Sequence, residues 1–143
     1  MLKTTISLTS VLLLTLSFVS YQAHARDYGC LENSTTSCLQ DGRFQLSAFA
    51  IRPNGKRVQA KIKEALIGDD ASLFYFFEFD NVELLVKVLN GCWSNGKYWV
   101  FGSAGTDLKY TVTVKDLAKG REKTYRRHRY NPLINDTNAF NCR

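Results

Sequence analysis

The residues best suited to chemistry in this chain are cations. Lys119, Arg121, Lys123, Arg126, Arg127, His128 and Arg129 stand close together, with only Glu122 opposing them. Lys123, Arg126, Arg127 and Arg129 are the candidate contacts for a polyanion, because guanidinium groups interleaved with tyrosine suit anionic polymers. On an extended strand Lys123, Tyr125, Arg127 and Arg129 would line one face, and Thr124, Arg126, His128 and Tyr130 the other. Charge on both faces predicts an edge strand or a protruding hairpin. The same charges have a second reading, as protection of an edge against pairing with other strands.

Trp93 is the second candidate. It lies between Asn90-Gly91 and Asn95-Gly96, dipeptides favoured in hairpin turns, beside Cys92. Held on a short loop, it could stack on a sugar, anchor a protein partner, or simply cover a disulfide. The segment Gly91–Lys97 could equally be an inhibitory loop that enters the active site of a hydrolase. Nucleophilic catalysis has thin support, since it needs a nucleophile, a base and an orienting group within reach of one another. Beyond the N-terminal leader the chain holds one histidine, His128, in the basic run. Glu78, Asp80 and Glu83 cluster at a turn and Asp69 adjoins Asp70, but acids at turns ordinarily solvate or cap them. Neither group matches a calcium-loop spacing, and no glycine-rich phosphate loop or metalloprotease motif is present. No catalytic residue, metal ligand or cofactor is assigned, and the chain is expected not to be an enzyme.

The elements that must position these residues begin after a leader. Lys3 is followed by a diluted apolar stretch, Ile6 to Val19, and then by Ala23-His24-Ala25. That order is the order of a secretory signal peptide, with cleavage expected after Ala25. The stretch is too short and polar for a membrane span. The residues before Cys30 are not those of a lipoprotein signal. Residues 26–143 are then one domain, large enough for its own core. The whole chain carries 19 Lys and Arg against 13 Asp and Glu, a formal charge of +6. A basic balance fits polyanionic partners and also aids solubility.

Four cysteines, Cys30, Cys38, Cys92 and Cys142, lie beyond the leader. An even number in an exported domain argues for disulfides. Three connectivities are open, of which Cys30–Cys38 with Cys92–Cys142 is favoured. A zinc site lacks the C-x-x-C spacing and the histidines it would need.

Alternation of apolar and polar residues marks the strands. Arg43–Arg52 places Phe44, Leu46, Ala48 and Ala50 on one face. Residues 57–67 fit either a strand or a helix. The run Leu73 to Phe79 is expected to be buried, since an exposed edge of that composition would aggregate. Val82–Leu89, Lys97–Phe101, Tyr110–Val114 and Thr124–Tyr130 complete the set, with a loop from Gly102 to Asp107 and a polar tail from Asn131-Pro132. The expected fold is all-β: an antiparallel β-sandwich of about six to seven strands, stapled by disulfides.

The stretch Val82-Glu83-Leu84-Leu85-Val86-Lys87-Val88-Leu89-Asn90-Gly91-Cys92 leads into Asn95-Gly96-Lys97-Tyr98-Trp99-Val100-Phe101. With Thr106-Asp107 and Tyr110-Thr111-Val112-Thr113-Val114-Lys115-Asp116 it resembles a β-domain family of bacterial secreted and surface proteins. In that family the domain sits beside enzymatic domains or occurs in several copies. The resemblance implies location and fold more than chemistry. Arg126 to Tyr130 intervenes here where family members pass almost directly to Asn-Pro.

The expected function is that of a secreted or periplasmic, non-enzymatic binding module. Its partner would be an anionic glycan, a lipid headgroup or an acidic protein, met through the basic hairpin. Nucleic acid is not expected for an exported chain. The alternative is a secreted hydrolase inhibitor acting through Gly91–Lys97.

Overall fold

A computed structural model describes residues 28–63 and 68–143. The expected leader and cleavage site lie outside the described residues, as do positions 64–67 of the ambiguous segment. The described chain forms ten strands: β1 (Ser37–Leu39), β2 (Phe44–Ile51), β3 (Arg57–Gln59), β4 (Lys61–Lys63), β5 (Ala71–Tyr75), β6 (Leu84–Gly91), β7 (Lys97–Ala104), β8 (Lys109–Asp116), β9 (Arg121–Arg127) and β10 (Ile134–Asn141). A single helical turn, Cys92–Asn95, joins β6 to β7.

These strands make two antiparallel sheets packed as a sandwich. The first runs β1-β2-β8-β9, with β3 sharing the β1 side of β2; the second runs β10-β7-β6-β5-β4. The all-β, disulfide-stapled sandwich expected from alternation is what forms. Seven strands have five or more residues, and three are short pairings of three residues each.

Period-two patterning explains the core. Phe44, Leu46, Ala48 and Ala50 of β2 and Val112 and Val114 of β8 face Leu84, Val86 and Val88 of β6 and Val100 of β7, all buried. Each such side chain contributes about 1.5–3 kcal/mol by leaving water. Residues 57–63 are extended, not helical, and Ala60 is the crossing point between sheets. Its amide donates to the carbonyl of Ala48 in one sheet, while the amide of Ile62 donates to Ser34.

Four expectations are corrected. The tail after Pro132 is a strand, β10, which buries Ile134, Ala139 and Phe140 against β7. β7 runs on to Ala104, so the loop expected from Gly102 begins only at Gly105. Asn90-Gly91 ends β6 and is not itself a turn. The aromatic run is buried only at Phe74 and Phe76; Phe77 and Phe79 are 41% and 54% exposed, because the chain turns away after Tyr75. Cations cover them instead, with Arg52 over Phe77 at 4.8 Å and Lys63 over Phe79 at 3.3 Å.

Both favoured disulfides are present, Cys30–Cys38 and Cys92–Cys142. The second joins residues 50 apart and ties the end of β10 to the β6–β7 turn. Restriction of the unfolded chain gives about 4 kcal/mol for such a loop and about 2.5 for the short one. Bonds of this kind persist in oxidising, extracellular-type surroundings.

Candidate functional site

β9 is an edge strand, as its charges predict, and it pairs only with β8. Its two faces have different tasks. Lys123, Tyr125 and Arg127 turn to the open side of the sandwich, where β9 of one sheet meets β10 of the other. Lys123 Nζ lies 2.9 Å from Asp136 Oδ2, and the Tyr125 hydroxyl donates to the same oxygen at 2.8 Å. Arg127 Nε donates to the carbonyl of Leu133 at 2.7 Å. These contacts close the side of the sandwich, so two of the four candidate cations are committed to structure. Burial raises the Tyr125 pKa strongly, and its hydrogen bond to Asp136 adds to the rise. Burial would also raise the Asp136 carboxyl, but hydrogen bonds from Lys123, Tyr125 and the Asn138 amide outweigh it and hold the group below its ordinary value.

The other two candidates also part company. Arg129 lies in the turn after β9 and stacks on Tyr130, with 4.5 Å between guanidinium carbon and ring centre. Arg126 alone projects from the outer face of the first sheet. Arg126 and Arg127 border one depression, but the four residues do not form one patch.

The strand register gathers a different set around Arg126. Across the outer face, one row reads Arg57, Ile51 and Lys109, and the next reads Gln59, Phe49, Thr111 and Arg126. Directly opposed residues of antiparallel strands project to the same side, so these rows share one surface. Arg57 lies over the Phe49 ring at 3.6 Å. Phe49, Ile51, Lys109, Thr111, Arg126 and His128 line a shallow depression of about 460 Å³. Of the nearby carboxylates, Glu122 stands opposite Lys115, two rows away, and Asp107 precedes β8 and lines a neighbouring depression with Ile51 and Lys109. Among the described residues, no ion pair engages Arg57, Lys109 or Arg126.

The sequence could not show this set, because Arg57 and Lys109 are far from the basic run. The available signal was Phe49 and Ile51, the apolar residues on the polar face of β2, which form the floor.

Trp93 sits on the helical turn and is 85% exposed. Cys92 anchors that turn, the Asn95 side-chain amide donates to Thr137 O at 2.8 Å, and the amide of Cys142 donates to Gly96 O. Gly96 closes the turn at φ 72°, a left-handed value that glycine adopts without strain. The Gly91–Lys97 segment is therefore compact, and Trp93 is its one large projecting group.

Among the described residues, no three His, Cys, Asp or Glu side chains come together as a metal site, and no helix is long and apolar enough to cross a membrane. Compared with known proteins, the chain matches no family model, no curated protein and no solved structure. Any functional reading rests on the residues themselves.

Proposed function

We propose that the protein is an exported, non-enzymatic binding module that holds an anionic glycan or headgroup on the outer face of β2, β3, β8 and β9. One observation carries this reading. Arg57, Lys109 and Arg126 surround an apolar floor of Phe49 and Ile51, and among the described residues no carboxylate forms an ion pair with them. Three unpaired cations on a rigid sheet repel one another, and an anion relieves that repulsion. The apolar floor gives the carbon skeleton of a ligand somewhere to rest, and Thr111 offers a hydroxyl beside it. Arginine suits the task because its fork can engage two anionic oxygens at once.

Retention on immobilised heparin across a salt gradient tests this. A Lys109→Ala/Arg126→Ala variant should elute at lower salt than wild type. It should also elute below a Lys87→Ala/Lys97→Ala variant, which loses the same charge from the opposite sheet. Equal elution of the two double variants would reduce the effect to net charge and remove the site.

A further inference from the structure

The opposite face of the sandwich has another character. The outward side chains of β5, β6 and β7 include Leu73, Leu85, Leu89, Trp99 and Phe101. A sheet face turned to water is ordinarily polar. Here an aromatic track crosses it. The ring centres of Trp93 and Trp99 are 6.5 Å apart, and those of Trp99 and Phe101 are 6.3 Å apart. The track leads to an apolar depression of about 280 Å³, lined by Leu85, Phe101, Gly102 and Leu133, with Lys87 and Asn135 at its margin.

Two features show that the track is built. A Cβ on Gly91 would come within 2.2 Å of the Trp99 indole, so the ring lies directly on the glycine backbone. The indole nitrogen donates to Asn95 Oδ1 at 2.9 Å. Trp99 is thus fixed in plane by a glycine beneath it and by an amide from the turn that also carries Trp93. A side chain that only shielded the core would need neither. The polar groups beside the track are Lys87, Lys97, Ser103, Asn135 and Asn141, which supply donors and acceptors and no carboxylate.

We infer that this face is a second binding site, for an uncharged glycan chain whose sugar rings stack on Trp93, Trp99 and Phe101. A sugar ring has one apolar face of C–H groups and a rim of hydroxyls. Rings held in plane satisfy the first, and flanking amides, hydroxyls and ammonium groups satisfy the second. The ring planes differ by 55° and 88° along the track, so a twisted single chain fits and a flat crystalline face does not. A bilayer would require protruding apolar groups without amides between them. Here the two projecting groups, Trp93 at the turn and Leu133 at the depression, are separated by half-buried rings, and hydrogen-bonding side chains bound the track. The inference does not rest on the cationic face.

The experiment is a tryptophan-fluorescence titration of the oxidised protein with cellohexaose, chitohexaose, xylohexaose and maltohexaose. At least one should shift the emission and saturate by millimolar concentration. Trp93→Ala, at an exposed position that leaves the core intact, should weaken that binding about tenfold or more, and Trp99→Ala should do the same. Lys109→Ala/Arg126→Ala should leave it unchanged, so failure of one site is separable from failure of the other. Absence of any response to the four hexasaccharides would overturn the inference. So would unchanged binding in the Trp93→Ala variant. It would equally be overturned if that variant lost only self-association by sedimentation velocity, or only binding to phosphatidylcholine and phosphatidylglycerol vesicles.

Discussion

Arg43 and Asp116 form a buried, two-pronged ion pair, with Nε to Oδ1 at 3.0 Å and Nη2 to Oδ2 at 2.8 Å. Arg43 also donates to Asn141 O and lies over the Tyr98 ring, while Asp116 accepts from the amide of Ala118 in the β8–β9 turn. The pair therefore holds together β2, β8 and the end of β10. Removing one partner leaves a charge without water or counter-charge. Asp116→Ala should cost about 3–5 kcal/mol in denaturant unfolding, and Arg43→Met/Asp116→Leu should cost clearly less than that single change. Asp136 is the second telling residue. Its folded pKa lies below its unfolded one, so its contribution is fully present above about pH 4 and is lost as pH falls through the folded value. Asp136→Asn should cost about 1 kcal/mol at neutral pH, the Lys123 pairing being discounted for its partial exposure. The gap between wild type and variant in urea unfolding should narrow as the pH falls below about 4. A gap independent of pH would mean that packing, not charge, joins β9 to β10.

At the scale of elements, the β6–β7 connection makes the sharpest prediction. Gly91→Ala forces the Trp99 indole off the strand, because backbone lies on one side and the ring on the other. The ring can swing outward, so the change should cost about 1–3 kcal/mol and should weaken the near-ultraviolet circular dichroism of the two tryptophans. Period two made β2, β6, β7 and β8 legible in the sequence, since each alternates buried and half-buried residues with few breaks. β10 was not legible. A bulge between Asp136 and Phe140 breaks its alternation, so Ala139 and Phe140 are buried in succession within a polar stretch. The run Leu73 to Phe79 misled in the opposite sense. Composition argued for burial throughout, but cations from neighbouring segments cover the aromatics beyond the turn, and sequence periodicity does not register such contacts. The candidate site was half legible: the excess of cations was plain, but the cross-strand register decided which of them stand free.

For the whole molecule, the sandwich turns its two outer faces to opposite sides, one cationic and polar, the other aromatic. Between them lies a core of interdigitated side chains from β2, β6, β7 and β8. Close-packed interiors resist graded deformation, and none of the residues proposed for one face contacts those proposed for the other. Two ligands on such a scaffold should bind without regard to each other. Free energies at distant sites without shared partners add to within about 0.3–0.5 kcal/mol. Saturating the protein with heparin should therefore change the affinity of a responsive hexasaccharide less than about twofold at moderate salt. Titration of the hexasaccharide with and without heparin measures this directly. Independence would make the domain a bridge, able to hold a charged polymer and a neutral one at once with no conformational change. Strong competition would mean that one ligand wraps the side of the sandwich to reach both faces, by way of Arg129, Tyr130 and Leu133, all of which are exposed there. An Arg129→Ala/Tyr130→Ala variant should then relieve the competition while leaving either ligand's separate binding intact.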